Sequence, residues 1–170
     1  MEFKPLAFEE TDNSQLLHEL ARLSAADLQT RPEADFVRAL TQRWLSTINH
    51  RTGENPERVT AALYTLEGIL VGTVAEEIYK GRPKIQEYFK HFFELEGLWG
   101  EISTEHESYV QLFRTSPRIA INSGMYIFYW IEGDIEVPHL ARFTFVYEQQ
   151  ENGIWLIVNH HSSLQPETGE

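Results

Sequence analysis

The stretch Gly153-Ile154-Trp155-Leu156-Ile157-Val158-Asn159-His160-His161-Ser162-Ser163 decides how the rest of the chain is read. Its apolar half, Ile154 to Val158, is too short for a helix and mostly β-branched or aromatic, which predicts a buried strand. Asn152-Gly153 ahead of it is a hairpin turn pair. The strand ends on four polar residues. Successive strand side chains point to opposite faces, so His160 and Ser162 share one face and His161 and Ser163 the other.

Working outward, three more runs have the same character: Ile102–Phe113, Ile119–Ile131 and Leu140–Gln149. Thr115-Ser116-Pro117 and Glu132-Gly133-Asp134 separate them as turns. Before Gly97 the pattern is mainly helical. Asn13 or Ser14 caps a stripe of Leu16, Leu17, Leu20 and Leu23. Pro32, Glu33 and Asp35 open a stronger helix whose apolar residues are Phe36, Val37, Leu40, Trp44, Leu45 and Ile48, stopped by Arg51-Thr52-Gly53. Asn55-Pro56-Glu57 starts a short helix, Ile69–Val71 reads as a strand, and Gly81-Arg82-Pro83 opens a helix bearing Ile85, Tyr88, Phe89, Phe92, Phe93 and Leu95. That order predicts an α+β fold, a curved and largely antiparallel sheet with helices on one face and a pocket beneath the aromatic helix. Residues 1–30 are expected to form an arm and helix, 31–166 a single domain, and 167–170 a polar tail.

Composition limits the function. The chain has 170 residues, no cysteine, and a net charge of −12 from 26 acidic and 14 basic residues. Thiolate catalysis, zinc fingers and iron–sulfur clusters are excluded. Nucleic acid and anionic membranes call for a basic face that this chain lacks. No apolar run approaches the length of a membrane span, and a cytoplasmic location is expected. Neither His-x-His nor His-x-x-x-His occurs, so no metal is expected. Gly-rich phosphate loops and dinucleotide fingerprints are absent too, and no cofactor is expected. Arg142, inside Ala141-Arg142-Phe143-Thr144-Phe145, reads as a buried cation in need of an acidic or anionic partner.

Several segments together resemble a known family. They are Val59-Thr60-Ala61-Ala62-Leu63-Tyr64, Gly68-Ile69-Leu70-Val71-Gly72-Thr73-Val74, and Gly81-Arg82 with Ile85, Tyr88-Phe89 and Phe92. This opening is similar to the cone fold of the nuclear-transport-factor-2-like superfamily. Asn122-Ser123-Gly124, Arg142–Tyr147 and Gly153–Ser163 with Pro166 resemble its branch related to the association (hub) domain of calcium/calmodulin-dependent protein kinase. The His-His-Ser-Ser ending with a nearby proline is similar to the iota-class carbonic anhydrases, proposed to work without a metal.

That resemblance implies a pocket with Thr73, Tyr88, His160 and Ser162 as catalytic residues, and His161 and Ser163 as substrate-binding residues. The implied reaction is reversible hydration of carbon dioxide to bicarbonate. A neutral histidine, His160 or His161, would take the proton from water, and hydroxyls would hold the developing bicarbonate. Two other readings stay open. One is a non-catalytic assembly domain binding a small carboxylate; the hub's pocket carries arginines, and Ser162 stands where one of them would be. The other is an isomerase or cyclase, which wants a carboxylate in the cavity, with Glu101, Glu105 and Glu107 as candidates. Apolar residues on both parities of the strands, Phe143, Phe145 and Tyr147 against Arg142, Thr144 and Val146, predict at least a homodimer through the open sheet face.

Overall fold

The structure is a computed structural model that describes residues 33–51, 53–113 and 117–166. The helix read at Asn13–Leu23, the arm around it and the tail at 167–170 lie outside the described residues. The elements are α1 (Glu33–Asn49), α2 (Pro56–Ala61), β1 (Tyr64–Val71), β2 (Ile78–Lys80), α3 (Arg82–Phe92), β3 (Trp99–Ile102), β4 (Tyr109–Phe113), β5 (Ile119–Glu132), β6 (Ile135–Gln149) and β7 (Trp155–Leu164).

Helix α1 buries Phe36, Val37, Thr41, Trp44, Leu45 and Ile48 along one stripe, while Glu33 and Asp35 sit at its positive end. Helix α3 buries Ile85, Tyr88, Phe89 and Phe92. Both press on the same side of a curved, unclosed seven-stranded sheet of order β2-β1-β7-β6-β5-β3, with β4 also pairing with β5. All pairings are antiparallel except β1 with β7. The inner face presents Tyr126, Phe128, Ala141, Phe143, Phe145 and Tyr147 to the helices. Trp44 stands at the centre, with ring centroids 5.1 Å from Phe145, 5.9 Å from Tyr126 and 6.1 Å from Phe89. Burying each such side chain contributes about 1.5–3 kcal/mol.

The structure corrects four expectations. Ile102–Phe113 is not one strand: β3 and β4 pair separately with β5, because Ser103-Thr104-Glu105-His106-Glu107-Ser108 has no apolar residue to bury. Its polar groups make side-chain contacts instead, Ser103 Oγ with His106 Nδ1 at 2.9 Å and Ser108 Oγ accepting from Arg38 Nε at 3.1 Å. Strand β1 begins at Tyr64 rather than Ile69, since Tyr64 pairs with Ile157 before a register shift. Strand β6 begins at Ile135 and includes Pro138; β7 accompanies β6 only from Ala141 onward, so one flank of this stretch is an edge that tolerates proline. Finally, Arg142 is exposed on the outer face, where it donates to Ser163 Oγ at 3.1 Å and to the Leu164 carbonyl at 3.3 Å. Strand alternation placed it there between inward-facing Ala141 and Phe143. No helix among the described residues is long and apolar enough to cross a membrane.

Candidate functional site

The pocket lies between α3, α1 and the inner face of the sheet. It is lined by Trp44, Leu70, Thr73, Tyr88, Phe89, Phe92, Tyr126, Phe128, His160 and Ser162. Thr73, Tyr88, His160 and Ser162 therefore meet around one cavity although they come from the end of β1, α3 and β7. His160 and Ser162 reach it through strand alternation, opposite Phe145 and Phe143 of β6. Thr73 lies two positions beyond Val71, the last residue of β1. Tyr88 is placed by the aromatic stripe of α3, and its ring lies against Gly72, where a Cβ would overlap the ring carbons. Arg82 ties the start of α3 to β1, donating from Nη2 to the Tyr64 carbonyl at 2.6 Å.

The cavity has a volume of about 10 Å³, on the order of one water. Around it the polar groups form a connected series. Trp44 Nε1 donates to the Tyr64 hydroxyl at 3.1 Å, and that hydroxyl lies 2.8 Å from His160 Nδ1. His160 Nε2 faces the Tyr126 hydroxyl at 3.4 Å. Tyr126 donates to Ser162 Oγ, and Ser162 shares a hydrogen bond with Thr73. The His160 ring stacks on Phe145 at 3.8 Å and meets Trp44 edge-on at 4.9 Å.

Everything in this cluster is neutral near pH 7. Burial pushes the His160 imidazole well below its ordinary range, with a smaller push from neighbouring His161. Burial likewise raises the phenols of Tyr64, Tyr88 and Tyr126. Among the described residues no arginine or carboxylate lines the cavity. Glu101, Glu105 and Glu107, the carboxylates considered for isomerase chemistry, are all exposed. Glu101 accepts instead from the Tyr129 hydroxyl at 2.9 Å. Among the described residues no three His, Asp or Glu side chains come together as a metal site.

His161 and Ser163, expected to bind substrate, face away from the cavity. His161 is exposed on the outer face, paired with Thr144 and Val71, and Ser163 receives Arg142. Alternation along β7 permits only one of the two parities to face the helices. Tyr64, Tyr126 and Trp44 are the members of the cluster that sequence reasoning did not single out. Their only signal was parity and helical phase, which they share with ordinary core aromatics.

The fold, helices on one side of a curved and unclosed sheet, is the nuclear-transport-factor-2-like cone. A profile of the calcium/calmodulin dependent protein kinase II association domain matches residues 33–166, and the chain belongs to that family. A crystal structure from Xanthomonas campestris assigned to the same association domain is 33% identical, with a TM-score of 0.69 over 81% of this chain and 91% of that one. The hub homology domain of Chlamydamonas reinhardtii shares the fold at 17% identity and a TM-score of 0.59, over 79% of this chain and 100% of that one. A nuclear-transport-factor-2-like protein from Novosphingobium aromaticivorans does so at 13% identity and a TM-score of 0.60, over 95% of both chains. No match arises among functionally curated proteins.

Proposed function

We propose that this chain is a self-associating domain of the hub type, which assembles through the outer face of its sheet and keeps a small neutral pocket on the inner face. The observation that carries this is the outer face itself. Ile121, Met125 and Ile127 of β5 lie beside Val146, Arg142 and Leu140 of β6 and point away from the helices, only half-buried by their own neighbours apart from exposed Arg142. Every described helix packs on the other side, so a second copy is what this family would set there. A double variant, Ile121→Asp with Val146→Asp, should sediment as a single chain while the unaltered protein sediments as a multimer. Equal masses for the two would overturn the reading.

A second reading is favoured by a separate observation: a buried, neutral imidazole and two aliphatic hydroxyls surround a space the size of one water. With the cavity widened to admit carbon dioxide beside that water, the arrangement would support metal-independent hydration. The substrate is small and apolar, as the aromatic walls require. The bound water would be oriented by Ser162 and Thr73, the imidazole would receive the proton at Nε2 once its own proton had moved to Nδ1, and Tyr88 would donate to a bicarbonate oxygen. Stopped-flow hydration with chelator present should then show a rate above the uncatalysed one. A rate equal to buffer leaves the pocket as a binding site only.

An isomerase or cyclase reading would need a carboxylate base, and among the described residues that line the cavity there is none.

A further inference from the structure

We infer that Tyr64 is a positioning residue that holds His160 as its Nε2–H tautomer, so that the imidazole presents a hydrogen-bond donor, not a free base, to the cavity. The inference concerns the resting pocket and stands whether that pocket only binds or also turns over.

It follows from counting protons. An indole N–H can only donate. In the 3.1 Å contact between Trp44 Nε1 and Tyr64, the phenol oxygen is therefore the acceptor. The described structure gives that hydroxyl one other partner, His160 Nδ1 at 2.8 Å. Tyr64 is 0% exposed, so its own proton has no solvent to turn to. If Nδ1 carried the imidazole proton, it would donate to Tyr64, and the Tyr64 proton would point at no acceptor. With Tyr64 donating, Nδ1 is bare, and a neutral imidazole then carries its single proton on Nε2. A buried donor without a partner is costly, so the Nε2–H form is favoured by about tenfold or more.

The remaining bonds agree with this direction. Nε2 faces the Tyr126 oxygen at 3.4 Å, and Tyr126 passes its own proton to Ser162. The protons thus run one way, from Trp44 through Tyr64, His160 and Tyr126 to Ser162. Reversing the series from the Ser162 end leaves Tyr64 unsatisfied at the other. The ring itself is held in orientation between Phe145, stacked at 3.8 Å, and Trp44, edge-on at 4.9 Å. Two consequences follow. A molecule entering the cavity meets an N–H that is shared with the Tyr126 oxygen at 3.4 Å, so an oxygen acceptor is the group that competes for it. A proton can be taken up at Nε2 only after the imidazole has changed tautomer against the pull of Tyr64.

The test is nitrogen-15 spectroscopy of the full chain with labelled histidine, reading which ring nitrogen of His160 is protonated through its two-bond couplings. The His160 signals are identified by their loss in His160→Gln. The unaltered protein should show a single Nε2–H form. Tyr126→Phe should keep it, because the Tyr64 contact persists, whereas Tyr64→Phe should reduce the tautomer preference by about tenfold or more. An Nδ1–H form, or an even mixture, in the unaltered protein would overturn the inference without any variant being needed. So would a preference lost in Tyr126→Phe and kept in Tyr64→Phe. Neither outcome bears on self-association, whose failure is read separately by sedimentation.

Discussion

His160 is the residue on which the pocket's electrostatics turn. Its folded-state affinity for a proton is depressed by burial, while in the unfolded chain it titrates near about 6.5. Between those values the unfolded state binds the extra proton, so stability is full above about pH 6.5 and falls as the pH drops below it. The loss approaches about 1.4 kcal/mol per pH unit in that window. Urea midpoints measured from pH 7.5 to 5 should decline accordingly, and His160→Gln should flatten the decline. An equal slope in that variant would show that other groups drive it. The hydroxyls make a different forecast under the hydration reading: Ser162→Ala and Thr73→Val should each lower the rate on the order of 100–1,000-fold. Stopped-flow rates near those of the unaltered chain would move the reaction out of this cavity.

At the scale of elements, the contact between α3 and the end of β1 shapes the pocket. Gly72→Ala would drive a Cβ into the Tyr88 ring, and overpacking of that kind costs about 1–3 kcal/mol. Chemical denaturation should register the loss, and Tyr88→Leu, which shortens the opposing side chain, should relieve part of it. Reading Gly72 from the sequence reveals only a small residue beside a motif. Its meaning needs Tyr88 of α3, sixteen positions later. The strand ends show the same limit. The β-branched and aromatic runs announced β5, β6 and β7, because residue type and alternation act locally. The break between β3 and β4 lies in the polar stretch 103–108, which the apolar ends of the run concealed, whereas the five residues by which β1 begins earlier depend on its pairing with β7, a tertiary fact.

For the whole molecule, the helix-first and strand-last order was enough to argue helices on one face of a curved sheet. The meeting of Thr73, Tyr88, His160 and Ser162 came from family resemblance, since no local pattern brings such distant positions together. Tyr64 and Tyr126 stayed hidden, because a phenol that serves a buried imidazole looks in sequence like any other core aromatic. Parity along β7 could narrow the histidines to two alternatives, and only the helices on the inner side decide for His160 over His161. The same decision leaves His161, Thr144, Val146 and Ile121 on the outer side. On the proposed reading, two faces of one sheet carry separate tasks, a neutral pocket within and a contact surface without. Static light scattering of the unaltered chain at micromolar concentration tests that division most directly. The account requires a mass that is a multiple of one chain and holds on moderate dilution; a mass of one chain throughout would contradict it.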